Sequence, residues 1–561
     1  MRRDALILLL ASAVLVALRL HAFDLPLETD ECNYAYIGAR LLDGDRLYLD
    51  VWDHQPPGVF MLFAGAIALF GDAPLVFRAL STGFSLASLC LIYAILRHVA
   101  GRPTAALGAI LFAIVSSDPG TGGEGCNREI FMNTLILAAW YFALRSSSGH
   151  GITHLSDGSQ TIGSPDAAIK APPLGKGGLG GVIVAGFLLA IASLLKTNVA
   201  VHWMFLAVWL AIHAAHGAKR GRWVRRVGTT LVGFALGPAL VWAATFAYFA
   251  ATGRFHDFLD AAFLFNLGYT DVREPFLMRF WRFFAPPRHP FIFESALPLW
   301  LLTIPAAAWL LVRSMVRRDK ESPAILILLF ASYVATCLPG RFWPHYYYLL
   351  IPALVLVVAS AAGDAVRAIA VGPGRIEQPA TIVGSVVGVL LSVVVGIAEY
   401  RDYLSQPPLG ITKNRYNTRD FWGRAQGENV ARVTKPEDAV FVFGNDAEIY
   451  YYAKRRCASR YTMITGLQKG MRGADRRRQI LMSELRAAPP RLIVLLFDEE
   501  PFDEWKAFLD DYYGQPVGWD LHDKTRKPIM FVLARKDRPI ESINWDWDRS
   551  QIGGFKNPPH Y

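Results

Sequence analysis

Long apolar runs separated by short polar loops occupy the first 400 residues, and their lengths predict a bundle of membrane-spanning helices. A helix of roughly 20 apolar residues crosses the hydrocarbon core of a bilayer, and the chain has about eleven runs of this length or somewhat shorter. They lie at about residues 5–22, 76–96, 104–117, 130–145, 181–197, 199–216, 228–251, 295–313, 323–338, 347–363 and 380–398. The first run resembles a signal peptide. It lacks a clear small-x-small cleavage site and more spans follow, so we interpret it as a retained span.

Basic residues in alternate loops predict the orientation of these spans. Arg2 and Arg3 precede the first span, and the loop after the sixth span carries five bases between residues 219 and 226. Short cytoplasmic loops collect Lys and Arg, so the N-terminus is predicted to be cytoplasmic and the C-terminal domain extracytoplasmic. We therefore expect a multi-pass protein of the inner (plasma) membrane.

Composition supports this class and excludes two others. Hydrophobic residues make up 53% of the chain and charged residues only 19%, below the roughly 25% of soluble domains. The net charge of +10 does not indicate a nucleic-acid partner, because the bases sit in short loops between apolar runs. The five cysteines show neither metal-ligand spacing nor a CxxC motif.

Three segments interrupt the pattern of spans. Residues 58–71 are apolar but short for a full crossing, and we expect a helix that lies in or dips into the outer leaflet. Residues 146–180 are rich in Ser, Gly and Pro without periodicity, which predicts a flexible cytoplasmic insert. Residues 252–292 are rich in Phe, Trp and Arg, which predicts an interfacial helix followed by a turn.

The last part of the chain has a different pattern. Short apolar runs that read as buried strands alternate with segments that read as helices, and this alternation predicts a small α/β domain. The strands are expected at 439–444, 491–497 and 529–535, and the helices at 448–456, 474–488 and 501–513. The predicted fold is therefore an α-helical polytopic membrane domain over residues 1–400 with an extracytoplasmic α/β domain over residues 401–561.

The polar loop 23–75 follows the first span and carries several acids. Asp30-Glu31 opens an apolar-periodic segment that predicts a short helix ended by Asp43-Gly44. The motif WDHQPPG at residues 52–58 predicts a rigid, non-helical return to the membrane, because its two prolines fix φ and remove backbone donors. The acidic pair has a structural explanation, in which Thr29 or Asp30 caps the helix and Glu31 complements its dipole. It also has a catalytic one.

Four groups of residues fall on the predicted outer side, where carboxylates from two loops suit a general base and its partner. Cationic side chains there suit a phosphate, and aromatic ones suit a lipid or sugar slot. The groups are Asp30 with Glu31, Arg128 with Glu129, Lys196, and the loop that carries Arg341, Trp343, His345 and Tyr346. Each has a structural alternative: a snorkelling lysine, a loop anchor, a helix cap, or an ordinary interfacial aromatic belt.

Four motifs in order carry a resemblance to a known family. They are TDE-x-NYAxIGARLLDG-x-x-LYxDVWDHQPPG, NREIFMNTL, AGFLLAIASLLKTN and RFWPHYYYLLIPAL, which together span roughly residues 5–365. In these motifs the chain resembles the bacterial branch of the protein O-mannosyltransferase and lipid A aminoarabinose transferase-like family (glycosyltransferase family 39-like), whose members are GT-C-type glycosyltransferases. The resemblance implies transfer of a sugar from a polyprenyl-phosphate carrier on the extracytoplasmic face.

The resemblance also implies roles for individual residues. Asp30 matches the acid of the first outer loop, the implied catalytic base, with Glu31 beside it, and Glu129 matches the acid of the second loop. Taken with the charges and rings of the outer loops, this gives the predicted site. The predicted donor-phosphate ligands are Lys196, Arg341, His345, His54 and Gln55, and the predicted substrate-binding residues are Arg128, Asp53, Trp343 and Tyr346. WDHQPPG departs from the family, which usually has KPP, because Gln55 stands at the lysine position and carries no charge. His54 or Arg341 can compensate.

The implied reaction is an inverting single displacement. A carboxylate deprotonates or orients an acceptor group, which attacks the anomeric carbon while the lipid phosphate leaves. The expected partners are membrane lipids, the polyprenyl-phosphate sugar donor and a glycan, lipid or protein acceptor, with no nucleic acid. No cofactor is implied, and a divalent metal is possible but not required. The alternative function is a polytopic transporter or lipid-linked sugar flippase, since many spans with buried charge also suit a permeation path. Clustering of the candidate residues at one face favours the enzyme.

Overall fold

The structure is a computed structural model in which most described residues are helical. It describes residues 2–147, 178–216, 221–270, 275–286, 290–294, 296–317, 322–370, 377–408, 410–411, 418–496, 502–521 and 528–540. The predicted insert 146–180 falls mainly on residues 148–177, which lie outside the described residues.

Each long apolar run of the sequence forms a helix. The helices are α1 (Arg2–Leu20), α2 (Thr29–Leu42), α3 (Gly58–Phe70), α4 (Pro74–Val99), α5 (Arg102–Val115), α6 (Arg128–Ser147), α7 (Gly178–Leu195), α8 (Ala200–Ala215), α9 (Trp223–Ala251), α10 (Phe255–Leu259), α11 (Phe265–Tyr269), α12 (Phe276–Arg282), α13 (Leu297–Arg317), α14 (Ser322–Cys337), α15 (Pro344–Tyr347), α16 (Ile351–Ala370) and α17 (Glu377–Glu399). A π-helical turn, Asp260–Leu264, joins α10 to α11.

Six helices within the described ranges are long and apolar enough to cross a membrane. They are Pro74–Val99, Gly178–Leu195, Thr197–Ala215, Trp223–Ala251, Leu297–Val316 and Pro344–Val366. Gly58–Phe70, Arg102–Val115 and Ser322–Cys337 are shorter apolar helices. The protein is therefore an α-helical polytopic membrane protein, as the sequence predicts. The count of about eleven spans and their orientation stay predictions.

Glycines allow α7 and α9 to pack closely. A Cβ atom added at Gly186 would meet the Phe234 carbonyl oxygen at 2.0 Å, and one added at Gly237 would meet the Phe187 nitrogen at 2.2 Å. Small residues let helix backbones approach in this way where no hydrophobic effect drives helices together in lipid. This contact holds α7 against α9 near the middle of both helices.

The prediction that Thr29 or Asp30 caps α2 is wrong, because the helix already begins at Thr29. Glu28 is the N-cap residue, and it forms a capping box with Glu31. The Glu28 N–H donates to Glu31 Oε2 at 3.2 Å. The predicted end is confirmed, because the helix stops at Leu42 with Asp43 as its C-cap. The Asp30 side chain is consequently free of the capping role.

The C-terminal α/β region, residues 418–540 in the described ranges, contains one five-stranded sheet. Its strands are β1 (Ala439–Phe443), β2 (Arg456–Cys457), β3 (Leu492–Leu496), β4 (Tyr513–Leu521) and β5 (Pro528–Arg535), in the order β2-β1-β3-β5-β4. β1 pairs in parallel with β2 and β3, whereas β5 is antiparallel to β3 and β4. The helices around it are Thr418–Val433, Glu448–Ala453, Ala474–Ala487 and Asp503–Tyr512.

One predicted helix of this region is shorter than expected. The segment 448–456 stays helical only to Ala453, because Lys454 adopts a left-handed conformation with φ 53°. Arg456 and Cys457 then form the edge strand β2. The other predicted strands and helices are present, with ends that differ by a few residues. The boundary between the two predicted domains stays a prediction.

The C-terminal α/β region packs directly on loop 23–75. The Trp52 N–H donates to the Arg460 carbonyl at 2.8 Å. The Tyr36 hydroxyl accepts the Cys457 N–H at 2.8 Å. Thr29 Oγ1 donates to Glu448 Oε1 at 2.9 Å. Loop 23–75 is thus held between the helical bundle and this region, and its conformation depends on both.

Candidate active site

Asp30 lies in the first turn of α2 and faces His345 in α15. The distance between Asp30 Oδ2 and His345 Nε2 is 3.8 Å, and the Asp30 side chain is 33% exposed. The Tyr34 hydroxyl, one turn along α2, donates to the same oxygen at 3.3 Å. Two residues that are 315 positions apart in the sequence are therefore neighbours. Asp30 combines access from solvent with few competing contacts, as a general base requires.

Glu129, at the start of α6, forms a buried ion pair with Lys196. Lys196 Nζ donates to Glu129 Oε1 at 2.9 Å and lies 3.3 Å from the centre of the Tyr346 ring. Lys196 reaches this position because α7 ends at Leu195 and the chain turns into α8. The Arg128 guanidinium approaches the same Glu129 oxygen, with Nε at 3.6 Å, and lies over the Tyr34 ring.

Several polar atoms of this cluster are buried without a hydrogen-bond partner among the described residues. They are Glu129 Oε2, Arg128 Nε and Nη1, and His345 Nε2. Buried polar atoms are normally paired, so each unpaired atom needs an explanation. Ordered water or a ligand can pair with such atoms. A ligand suited to them accepts from the guanidinium or the imidazole and donates to the carboxylate, and a phosphate attached to a hydroxyl-bearing group has that combination.

Asp53, His54 and Gln55 form a second layer of the site. The Gln55 N–H donates to Asp53 Oδ1 at 2.8 Å, and His54 Nδ1 lies 3.5 Å from that oxygen. Burial raises the pKa of Asp53 to about 7. Burial, together with the field of four nearby cations, lowers the pKa of His54 to about 3. His54 is therefore a neutral side chain at pH 7. It packs its ring against Phe265 and Tyr269.

The four cations that act on His54 show which residues the fold brings together. They are Arg128, Lys196, Arg477 and Arg341. They come from α6, from the end of α7, from the C-terminal α/β region and from the loop before α15. Three of the four were candidates from sequence, and the fold gathers them around one loop.

Arg341 and Trp343 lie at the edge of the cluster. Arg341 donates from Nε and Nη2 to the Tyr269 carbonyl, at 3.1 and 2.8 Å, and its guanidinium lies 4.4 Å from the centre of the Tyr269 ring. Trp343 is hydrogen-bonded to Tyr269 as well. These contacts anchor the loop to α11. They leave the Arg341 charge close to His54.

Glu31 is not part of the cluster. Its carboxylate is 1% exposed and pairs with Arg78 at 3.2 Å. It also accepts the N–H groups of Glu28 and Cys126. These contacts join the start of α2 to α4 and to the loop before α6. Within the described residues, Glu31 therefore has the contacts of a structural residue.

The cysteines nearest the acids are free thiols. Cys32 and Cys126 are both buried and neither is in a disulfide. Burial raises the pKa of both thiols. Both side chains lie in the hydrophobic core, and the Cys32 thiol donates to the Leu27 carbonyl at 3.4 Å.

The structure adds residues that the sequence did not single out. Arg477 inserts its guanidinium between the rings of Trp52 and Phe265, at 4.9 and 5.0 Å from their centres, and pairs with Asp260 at 2.6 Å. Asn33 donates to Asp53 Oδ2 at 2.7 Å. Asn33 was detectable in principle, because it lies one helical turn after Asp30. Nothing in the sequence signals that Arg477 reaches this loop.

No group of three or more His, Cys, Asp or Glu side chains within the described residues is arranged to hold a metal ion. The nearest carboxylates have other contacts: Glu129 pairs with Lys196, and Asp53 accepts from Asn33 and Gln55.

Solved structures with the same fold include two kinds of glycosyltransferase. ArnT from Cupriavidus metallidurans bound to undecaprenyl phosphate aligns with a TM-score of 0.58 and 15% identity, over 93% of this chain and 97% of that chain. ArnT in the apo state aligns with a TM-score of 0.55 and 14% identity, over 94% and 97% of the two chains. The archaeal oligosaccharyltransferase AglB from Archaeoglobus fulgidus, in complex with an inhibitory peptide and a dolichol-phosphate, aligns with a TM-score of 0.53 and 12% identity, over 97% and 74%.

No protein-family model and no curated sequence matches the chain. The structural likeness extends over nearly the whole chain, at an identity that establishes the fold and no more. It confirms the expected fold: the chain has the GT-C fold of membrane glycosyltransferases such as ArnT and AglB.

Proposed function

We propose that the protein is an inverting membrane glycosyltransferase that takes a sugar from a polyprenyl-phosphate donor. The observation that carries this proposal is the cluster around Asp30 and Glu129, in which a guanidinium and an imidazole are buried with unpaired nitrogens beside carboxylates. The neighbours with this fold support it, since ArnT is bound to undecaprenyl phosphate and AglB to a dolichol-phosphate.

Asp30 is the proposed general base. Its side chain is the most exposed acid of the cluster, and among the described residues only the Tyr34 hydroxyl donates a hydrogen bond to it. In the reaction the acceptor hydroxyl or amine transfers its proton to Asp30 and forms a bond to the anomeric carbon. The bond between that carbon and the phosphate oxygen breaks, and polyprenyl phosphate leaves with the electron pair. Because attack and departure occur on opposite sides, the configuration at the anomeric carbon inverts.

Arg128 and His345 are the proposed ligands of the leaving phosphate. Within the described residues, Arg128 Nε and Nη1 and His345 Nε2 make no hydrogen bond, and Arg128 Nε has only the longer contact of 3.6 Å with Glu129. Arg128, and His345 in the tautomer that carries its proton on Nε2, can therefore donate to phosphate oxygens without breaking another hydrogen bond. Lys196 contributes mainly by holding Glu129, which it contacts at 2.9 Å. Arg341 contributes charge from the edge of the site. Glu129 Oε2 is left to accept from a sugar hydroxyl.

The segment Asp53 to Gln55, with Trp343 and Tyr346, forms the proposed sugar-binding wall. Gln55 keeps hydrogen-bonding capacity at the position where the resembling family usually has lysine, and the neutral His54 adds none of the missing charge. The acceptor is a glycan, lipid or protein. We place the reaction on the extracytoplasmic face of the plasma membrane, with the C-terminal α/β region on that side.

Product analysis with purified protein tests the proposal. The protein is incubated with a panel of polyprenyl-phosphate sugars, and release of polyprenyl phosphate is measured for the wild type and for Asp30→Asn. We expect release by the wild type with at least one donor and a fall of roughly a hundredfold or more in Asp30→Asn, the usual loss for a general base. Sugar movement across vesicle membranes with no release of polyprenyl phosphate would favour the transporter instead.

A further inference from the structure

A buried hydrogen-bond relay connects the C-terminal α/β region to the WDHQPPG segment. Thr462 Oγ1 donates to Asn33 Oδ1 at 2.7 Å, and Asn33 Nδ2 donates to Asp53 Oδ2 at 2.7 Å. Thr462 and Asn33 are each 1% exposed and Asp53 is 6% exposed. Since water does not compete for these atoms, each member depends on the others for its hydrogen bonds.

The hydrogen bonds of the relay are all donated in one direction, from Thr462 towards Asp53, because of the chemistry of the amide between them. An amide side chain has one accepting oxygen and one donating nitrogen. The Thr462 hydroxyl donates to the oxygen of Asn33 and leaves the amide nitrogen for Asp53. The second oxygen of Asp53 accepts the Gln55 N–H at 2.8 Å, so the carboxylate is held on both sides. The relay therefore fixes the peptide that carries His54 and Gln55.

We propose that Thr462 is a positioning residue for the transfer reaction: through Asn33 it orients the Asp53 carboxylate and, with it, the His54-Gln55 wall of the donor site. This inference rests on the function proposed above. It makes the C-terminal α/β region part of the architecture of the donor site, a role separate from any contact with the acceptor.

The surroundings of Asp53 make the relay measurable. The titratable and charged groups that face Asp53 are Asp30, Arg128, His54, Tyr34 and Tyr48. Burial raises the pKa of Asp53 to about 7, and the hydrogen bond from Asn33 acts in the opposite direction. A hydrogen bond to the charged form of an acid favours that form. Loosening the relay should therefore raise the pKa of Asp53 further.

The test compares Thr462→Val, which loses the hydroxyl, with Thr462→Ser, which keeps it. Thr465→Val is the matched control. It removes a hydroxyl of the same segment that donates to Asn445 Oδ1 at 2.8 Å, and that oxygen keeps the Thr465 N–H. The unfolding temperature of each full-length protein in detergent is measured from pH 4 to pH 9. If Thr462→Val does not fold, Thr462→Ala replaces it.

The direction in which stability changes with pH follows from the protons that Asp53 binds in the folded and unfolded states. The folded protein holds the Asp53 proton up to about pH 7, whereas the unfolded chain loses it near 3.8. Stability contributed by Asp53 therefore falls as the pH rises through this window and is level above it. In Thr462→Val we expect the stability to keep falling until a pH about one unit higher than in the wild type. The reason is that the loss of a hydrogen bond to a charged group shifts the pKa of that group, here Asp53, by about one unit. Thr462→Ser and Thr465→Val should follow the wild type.

Turnover gives a second readout once a donor is identified. We expect Thr462→Val to lower kcat roughly tenfold, the effect of one weakened hydrogen bond, with recovery in Thr462→Ser. If no donor in the panel is turned over, the proposed enzyme activity fails while the stability profile still decides the relay. A Thr462→Val profile that coincides with that of the wild type would overturn the inference, as would an equal shift in Thr465→Val.

Discussion

The buried pair of Glu129 and Lys196 should respond unequally to removal of its two charges. Glu129 is 0% exposed, and Lys196 Nζ donates to its Oε1 at 2.9 Å. Breaking a buried pair by removal of one partner costs about 3–5 kcal/mol, because the other charge stays in a poorly solvated place. Both Lys196→Met and Glu129→Gln are therefore expected to destabilise the protein.

The position of Arg128 determines which of the two substitutions lowers the free energy of unfolding more. Its Nε lies 3.6 Å from the same Glu129 oxygen. In Lys196→Met, Glu129 keeps Arg128 as a partial partner, so the cost should lie near the lower end, about 3 kcal/mol. In Glu129→Gln, two cations remain side by side without a carboxylate between them, so the cost should approach about 5 kcal/mol. The double variant should be more stable than the sum of the single costs predicts, by about 2 kcal/mol or more.

The assay is unfolding of purified protein in mixed micelles with increasing SDS, with the wild type as the reference. Lys454→Met is the matched control, because Lys454 pairs with Asp72 at the surface, where the two side chains are 54% and 45% exposed. Such a pair contributes at most about 1 kcal/mol. The reasoning is wrong if the two buried variants cost no more than the control, or if Lys196→Met is the more damaging one.

Four further predictions follow from the site. Asp30→Asn should unfold within about 1 kcal/mol of the wild type, because Asp30 does not cap α2; a larger loss in a denaturation curve would make Asp30 structural. Gln55→Lys should tighten binding of undecaprenyl phosphate, measured by thermal shift, if Gln55 lies beside the donor phosphate. Weaker binding would mean that the position has been reassigned. Asp53→Asn should remove a fall in stability between about pH 4 and pH 7 that amounts to at most about 4 kcal/mol in the wild type. Cys32 and Cys126 should both be recovered alkylated from denatured, non-reduced protein, and a disulfide-linked peptide seen by mass spectrometry would contradict their free state.

Hydrophobic periodicity was sufficient to predict the helical part of the fold. Each long apolar run became a helix, since in lipid the backbone has no other way to satisfy its hydrogen bonds within one segment. The strands at 439–444 and 491–497 were predictable for a similar reason, because short apolar runs between helical segments fit a buried parallel sheet. The cap of α2 was missed because Glu28 acts through a reciprocal bond with Glu31. Sequence preferences favour Ser, Thr, Asp or Asn at that position.

The candidate site was only half predictable. Asp30, Glu129, Lys196 and His345 were found from their side of the membrane and from the resemblance, and the fold brings them together. Which of them pair with each other could not be predicted, because it depends on helix rotation and on where α7 ends. Arg477 lies 425 positions after Trp52 in the sequence. A contact of that range follows from how the C-terminal α/β region packs, and that packing has no local signal.

The charges of the acids and bases in the cluster largely cancel. Such a cluster fits the proposed donor better than a strongly positive cluster would. Asp30 and Glu129 offset Arg128 and Lys196, His54 is neutral at pH 7, and Arg341 lies at the edge. A sugar phosphodiester of a polyprenol carries one negative charge, whereas the polyprenyl phosphate that leaves develops a second one. Catalysis requires interactions that strengthen as this charge develops. The unpaired N–H groups of Arg128 are placed to supply them, and a near-neutral site would not over-stabilise the donor beforehand. In this proposal Gln55, in the place of a lysine, is consistent with a site in which the Arg128 guanidinium, together with the His345 imidazole, stabilises the leaving phosphate.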